Sequence, residues 1–143
     1  MTDTLSQSDT AWQQALEVQR QALAAYVSGN PAPFRASYSR GAEVTVFGGF
    51  GGWQKGWLDI EQRTSWSSSQ YHGGTAEPEI LAHGYSGELG FTVHLEHITA
   101  RSGPSATEVQ KTYRVTHIFR REGDEWKLIH RHADHLIDTN GPK

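Results

Sequence analysis

The 143 residues carry 13 Lys and Arg against 16 Asp and Glu, a formal charge of −3, with 36% hydrophobic and 20% charged residues. That length suits one domain burying roughly two-thirds of its unfolded surface, and the weakly acidic balance leaves no electrostatic footprint for nucleic acid. Without cysteine there are no disulfides and no thiolate zinc sites. No apolar run is long enough to cross a membrane, and the polar start MTDTLSQSDT lacks the regions of a signal peptide, so a cytoplasmic chain is expected.

In chain order, residues 10–28 read as a helix: Trp12, Ala15, Leu16, Leu23, Tyr26 and Val27 form one stripe. Ser8 or Thr10 is its candidate cap, and Gly29 with Pro31 ends it. A short helix over 33–38 with proline in its first turn comes next, then a brief strand over 44–47. The run Gly48-Gly49-Phe50-Gly51-Gly52-Trp53 has neither a GK[ST] ending nor GxGxxG spacing, so it reads as a tight turn, not a phosphate cradle. Residues 57–69 suggest a third helix, and 75–85 and 89–101 two strands. In the second strand Phe91, Val93 and Leu95 alternate with Thr92, His94 and Glu96, and burying the apolar set predicts an inward odd-numbered face. The expected core adds Trp12, Leu16, Leu23, Val44, Ile60, Ile118 and Ile129 to these three. Three helices before an antiparallel meander make one α+β domain, core about 11–135, with polar tails at both ends.

The last element is a hairpin over 108–134 turning at Gly123-Asp124, where glycine first suits a type II′ turn. That turn sets Glu122 opposite Glu125 and predicts Ile118 opposite Ile129, Thr116 opposite Arg131 and Arg114 opposite Ala133. One face then carries Arg114, Thr116, Ile118, Ile129, Arg131 and Ala133. The other carries Tyr113, Val115, His117, Phe119, Trp126, Leu128, His130 and His132, and on bulk alone this second face is the better interior.

The helix–Gly-Asn–helix start, the short strand before FGGFGG and the ending YRVTHIFRREGDEWKLIHRHAD resemble the SnoaL-like branch of the nuclear transport factor 2-like superfamily. The resemblance implies a cystatin-like cone, a curved antiparallel sheet wrapped over the N-terminal helices with a pocket at its open end. It also selects the first hairpin face as pocket wall and sends the aromatic face outward, into a homodimer. The general-base, tyrosine and second-acid positions of the isomerase branch fall on Val46, Ala22 and Thr116, and the last-strand aspartate of the cyclase branch near Ala133, so neither chemistry is carried over.

On that reading His97, Arg114, Thr116 and Arg131 face the pocket, with Trp53, Tyr26 and Tyr38 near its mouth. His97 is the catalytic candidate, because it alone among these exchanges a proton near neutral pH. The arginines, Thr116 and the aromatics are ligand-binding candidates. His97 can equally be a wall residue, and Arg131 can instead pair with Glu96 or Asp134 at the rim. His94, His117, His130 and His132 can cluster as metal ligands or as a polar dimer face, and the second is favoured: no metal and no cofactor are expected. Two functions remain open. One is a cofactor-independent isomerase, lyase or hydrolase acting on a small carbonyl- or carboxylate-bearing compound. The other is a non-catalytic small-anion-binding or association module. No nucleic-acid or membrane partner is expected.

Overall fold

The computed structural model describes residues 7–137 and 141–142. The expected polar tail residues before 7, and 138–140 and 143, lie outside them. Helix α1 (Gln7–Val27) begins ahead of Ser8 and Thr10, so neither caps it. It ends where Gly29 takes φ 88°, a backbone that favours glycine. α2 (Ala32–Ser37) comes after Pro31, and α3 (Trp57–Ser69) starts after Gly56 at φ 86°. The strands are β1 (Thr45–Phe47), β2 (Gln54–Lys55), β3 (Tyr71–Ser86), β4 (Leu89–Ser102), β5 (Thr107–Glu122) and β6 (Glu125–His135). They form one sheet in the order β2-β1-β6-β5-β4-β3, antiparallel except where β1 runs parallel to β6. The helices lie against one face of this curved, unclosed sheet, which gives the α+β cystatin-like cone. No described helix is long and apolar enough to cross a membrane.

α1 divides the interior in two. Near its start, Trp12 meets Phe119 and Trp126 edge-on at 5.4 and 5.2 Å, and its indole N–H donates to His83 Nδ1 at 3.1 Å. Such pairs add about 0.5–1.5 kcal/mol each beyond their area burial, so this end is closed and packed. Leu23 and Tyr26, toward the other end of α1, face a cavity instead.

The sheet's sidedness differs from the expectation on β4 and β5, and a bulge in β6 brings Arg131 and Ala133 to the interior with them. The turn register holds, with Gly123 at φ 64° and Glu122 opposite Glu125. Phe119 then pairs with Leu128 but Ile118 with His130, so Ile129 is an extra residue, a β-bulge. Beyond it every partner moves by one: Arg131 faces His117, not Thr116, and Ala133 faces Val115, not Arg114. A one-residue slip exchanges faces, so Arg131 joins Tyr113, Val115, His117, Phe119, Trp126 and Leu128 in the interior. The aromatic face is therefore core, not a dimer surface. β4 overturns the expected inward odd-numbered face: Thr92, His94, Glu96, Ile98 and Ala100 are buried, Phe91 and Val93 are exposed and Leu95 is half-buried, and Ile118 of β5, also expected in the core, is exposed. Of the remaining expected core, Trp12, Leu23, Val44 and Ile60 are buried, and Leu16 and Ile129 pack partly against them.

Candidate functional site

Putting the even-numbered residues of β4 inside buries a carboxylate and an imidazole, and β5 adds the imidazole of His117, which is tolerable only if they are paired. They are. Arg131 of β6 grips Glu96 bidentately, Nη1 to Oε2 and Nη2 to Oε1 both at 2.8 Å. His94 bridges the same Glu96 oxygen at 3.0 Å and Thr92 Oγ1 at 3.1 Å. Arg131 Nη1 also donates to His117 Nε2 at 2.9 Å, which places the His117 proton on Nδ1, where it meets no partner. Burial opposes ionisation of Glu96, but the Arg131 guanidinium and His94 overcome it and hold its carboxyl below the usual range. For Arg131, burial works against the charge and Glu96 more than restores it. Burial, then the neighbouring Arg131 and His94, push His117 well below the ordinary histidine range, so it is neutral. His94, Glu96 and His117 bring three ligand-type atoms within 4.8 Å of one another. Two of the three, Glu96 and His117, are hydrogen-bonded to the Arg131 guanidinium.

Glu96 and Arg131 form part of the wall of a narrow cavity of about 40 Å³ that opens to solvent. Phe34, Tyr38, Phe50, Tyr26, Tyr71 and Tyr113 give it aromatic sides, and Arg63 stands among its lining residues. The Tyr26 hydroxyl donates to Ser67 Oγ, and burial pushes it up to about 12. Burial and then the adjacent Tyr113 raise Tyr71, so its phenol stays protonated. The hydroxyls of Tyr71 and Tyr113 interact with each other and, like the Oε1 of Gln54, are buried without any further hydrogen-bond partner. The glycine run has its reason here: a Cβ on Gly49 would stand 2.5 Å from the Tyr113 ring. Phe50 from the same loop packs edge-on to Tyr71 at 5.9 Å and to Trp66 at 5.5 Å.

Of the residues expected in the pocket, Arg131, Tyr26 and Tyr38 line it. His97, Arg114 and Thr116 do not: the register puts them on the opposite, convex face. There His97 is paired with Glu79 at 2.8 Å and Arg114 with Asp134 at 2.8 Å, and Thr116 is exposed. Trp53 is 70% exposed and does not line the cavity. Arg131's partner is indeed Glu96, but at the buried floor and not at the rim. The four histidines split, with His94 and His117 inside and His130 and His132 beside Phe47 on the convex side. Sequence reading missed Glu96, Tyr71, Tyr113 and Gln54. A usable signal was present for the first: Thr92, His94 and Glu96 alternate on one strand, and the paired strands offer His117 and Arg131 as complementary partners.

A family model described as a SnoaL-like domain matches residues 9–137. The chain belongs to the SnoaL-like family. Among solved structures, this SnoaL-like chain is similar to a nuclear transport factor 2-like superfamily protein from Salmonella enterica serovar Typhimurium, with TM-score 0.74, 17% identity and coverage of 94% of this chain and 96% of that one. A candidate ketosteroid isomerase from Shewanella frigidimarina gives TM-score 0.66 and 20% identity over 88% of this chain and 96% of that one. A candidate calcium/calmodulin-dependent protein kinase type II association domain from Thiobacillus denitrificans gives 0.69 and 14%, over 87% and 94%. At these identities the likeness is one of fold, and the fold hosts unrelated activities. No curated protein matches.

Proposed function

We propose that this SnoaL-like protein is a small-molecule-binding protein, and that its pocket holds a ligand without acid–base chemistry of its own. One observation carries the reading. Among the described residues, the pocket wall offers buried hydrogen-bonding groups with no partner outside the Tyr71–Tyr113 pair (Tyr71, Tyr113 and Gln54) but no side chain free to exchange a proton near neutral pH. Its carboxylate is bound by Arg131 and His94, and its phenols with resolved shifts all lie high. Unsatisfied buried donors each cost about 1–3 kcal/mol, and a ligand would recover that cost. Arg131, Tyr26 and Tyr38 belong to the same ligand site. The isomerase, lyase or hydrolase alternative needs a proton carrier at the ligand, and His97 stands on the other side of the sheet. The test is a screen of small ring compounds by thermal shift, with each hit then checked by NMR for turnover. Stabilisation with unchanged ligand spectra is expected. Conversion of a hit by the unaltered protein would make it an enzyme.

The partner reading is a homodimer through the convex face. The aromatic residues first expected there are core. In their place Phe91, Val93 and Ile118 are 42%, 38% and 37% exposed, and Phe91 pairs directly with Ile118 across β4 and β5. A contiguous apolar sheet face of this kind supports association with a second copy.

A further inference from the structure

His117 keeps one hydrogen-bonding atom that its contact with Arg131 does not use. The side chain is buried, and its Nε2 accepts from Arg131 Nη1, so the ring proton sits on Nδ1. Among the described residues that Nδ1 has no partner. On α1, facing the inner side of the sheet, Gln19 Oε1 is buried and likewise without one. One atom is a donor and the other an acceptor. Both residues line the same small cavity, about 20 Å³, between α1 and the strands β3, β4 and β5. It is separate from the cavity walled by the tyrosines, with Leu23 and Glu96 bordering both.

We infer that this second cavity is a binding site for one internal water molecule, which accepts from His117 Nδ1–H and donates to Gln19 Oε1. A buried water needs roughly 10–15 Å³ of free space and about two to four polar partners, so the cavity suits one water and not a chain of them. Thr92 supplies a third partner. Its hydroxyl is engaged with His94 Nδ1 at 3.1 Å, which leaves an oxygen lone pair, and it lines the same cavity. The chemistry favours water over an ion. Glu96 and Arg131 already neutralise each other, and the exposed Arg20 at the cavity's edge is paired with Glu17 at 2.7 Å. The two remaining atoms call for a neutral molecule that accepts one hydrogen bond and donates another. Leu16, Leu23, Ile80 and Phe119 close the rest of the wall and offer nothing polar. Gln19 is then a positioning residue. Which imidazole nitrogen carries the proton is set by the bond the other makes, so the water holds His117 in the tautomer that presents Nε2 to Arg131.

The water site does not depend on any ligand in the tyrosine-lined cavity, and NMR of the full chain at neutral pH tests it directly. Long-range proton–nitrogen spectra of the histidine rings should show His117 as the Nδ1–H tautomer. Its Nδ1 proton should be protected from exchange and give a nuclear Overhauser cross-peak to a long-lived water. Gln19→Met keeps the length of the side chain and removes the acceptor, so most of that cross-peak should be lost. Gln14→Met, on the same helix but outside this cavity, should leave it intact. The measurement on the unaltered protein stands even if Gln19→Met does not fold. An Nδ1 proton with no water cross-peak, or one lost to rapid exchange with solvent, overturns the site, and so does an Nε2–H tautomer. A cross-peak of unchanged strength in Gln19→Met overturns the part given to Gln19.

Discussion

Arg131 and Glu96 are each almost wholly buried, so each is stable as a charge only because of the other. Glu96→Gln should cost about 3–5 kcal/mol, because it leaves a guanidinium buried and unpaired. The pH dependence has a definite sign. The folded pKa of Glu96 lies below its unfolded value of about 4.3. Its contribution is therefore fully present above that pH and is lost as pH falls toward the folded value. Denaturant unfolding should show the gap between the native chain and Glu96→Gln narrowing below about pH 4; a constant gap would mean the pair is not as described. His117 is also depressed, so its protonation favours unfolding once the pH drops below about 6.5. Native stability should decline from there by at most about 1.4 kcal/mol per pH unit for this one proton. His117→Gln should flatten the decline, leaving the shallower contribution of half-buried His130, which is lowered as well. An unaltered slope in that variant would place the proton elsewhere.

Among the elements, much was legible in the sequence and one feature was not. The third helix lies over 57–69 as its spacing indicates, and the Gly123-Asp124 turn sets the first pairs as expected. The bulge left no mark in the sequence, because Ile129 is as good a strand residue as any neighbour and WKLIHRHAD alternates acceptably in either register. Bulk alone named the right interior face as far as Leu128 but not for His130 and His132, which the bulge turns outward, and the resemblance to the isomerase branch named the wrong face of β5. The glycine loop was read as a turn, and its closest constraint is spatial. Gly49→Ala should lower stability by about 1–3 kcal/mol through overpacking against Tyr113. Gly48→Ala should be nearly neutral, because its nearest new neighbour is Val46 at 3.9 Å. Thermal melts of the two variants settle the comparison, and equal losses would refute it. On the convex side, Phe91→Glu should convert a dimer into a folded monomer near the chain mass of 15.9 kDa, read by light scattering. A native chain already at that mass would contradict the dimer.

In the molecule as a whole, the curved sheet and α1 make a cone with a packed aromatic end and an open polar-aromatic end. Composition and element order pointed to that architecture because they depend on hydrophobic periodicity, which survives small errors of register. The site did not survive them, since every pocket assignment on β4, β5 and β6 turned on which face was inward. Tyr26 and Tyr38, placed by the helices, kept their positions, and Arg131 kept its own through the shift itself. The proposed binding function depends on a ligand at the Glu96–Arg131 side of the sheet. Chemical-shift mapping by NMR of the protein titrated with a hit from the ring-compound screen addresses that side without any variant. The perturbed resonances should be those of Tyr71, Tyr113, Gln54, Phe50 and Arg131, with His97, Arg114 and Thr116 unmoved. Perturbations centred on His97, Arg114 and Thr116 would contradict this, because they would place the pocket on the convex face.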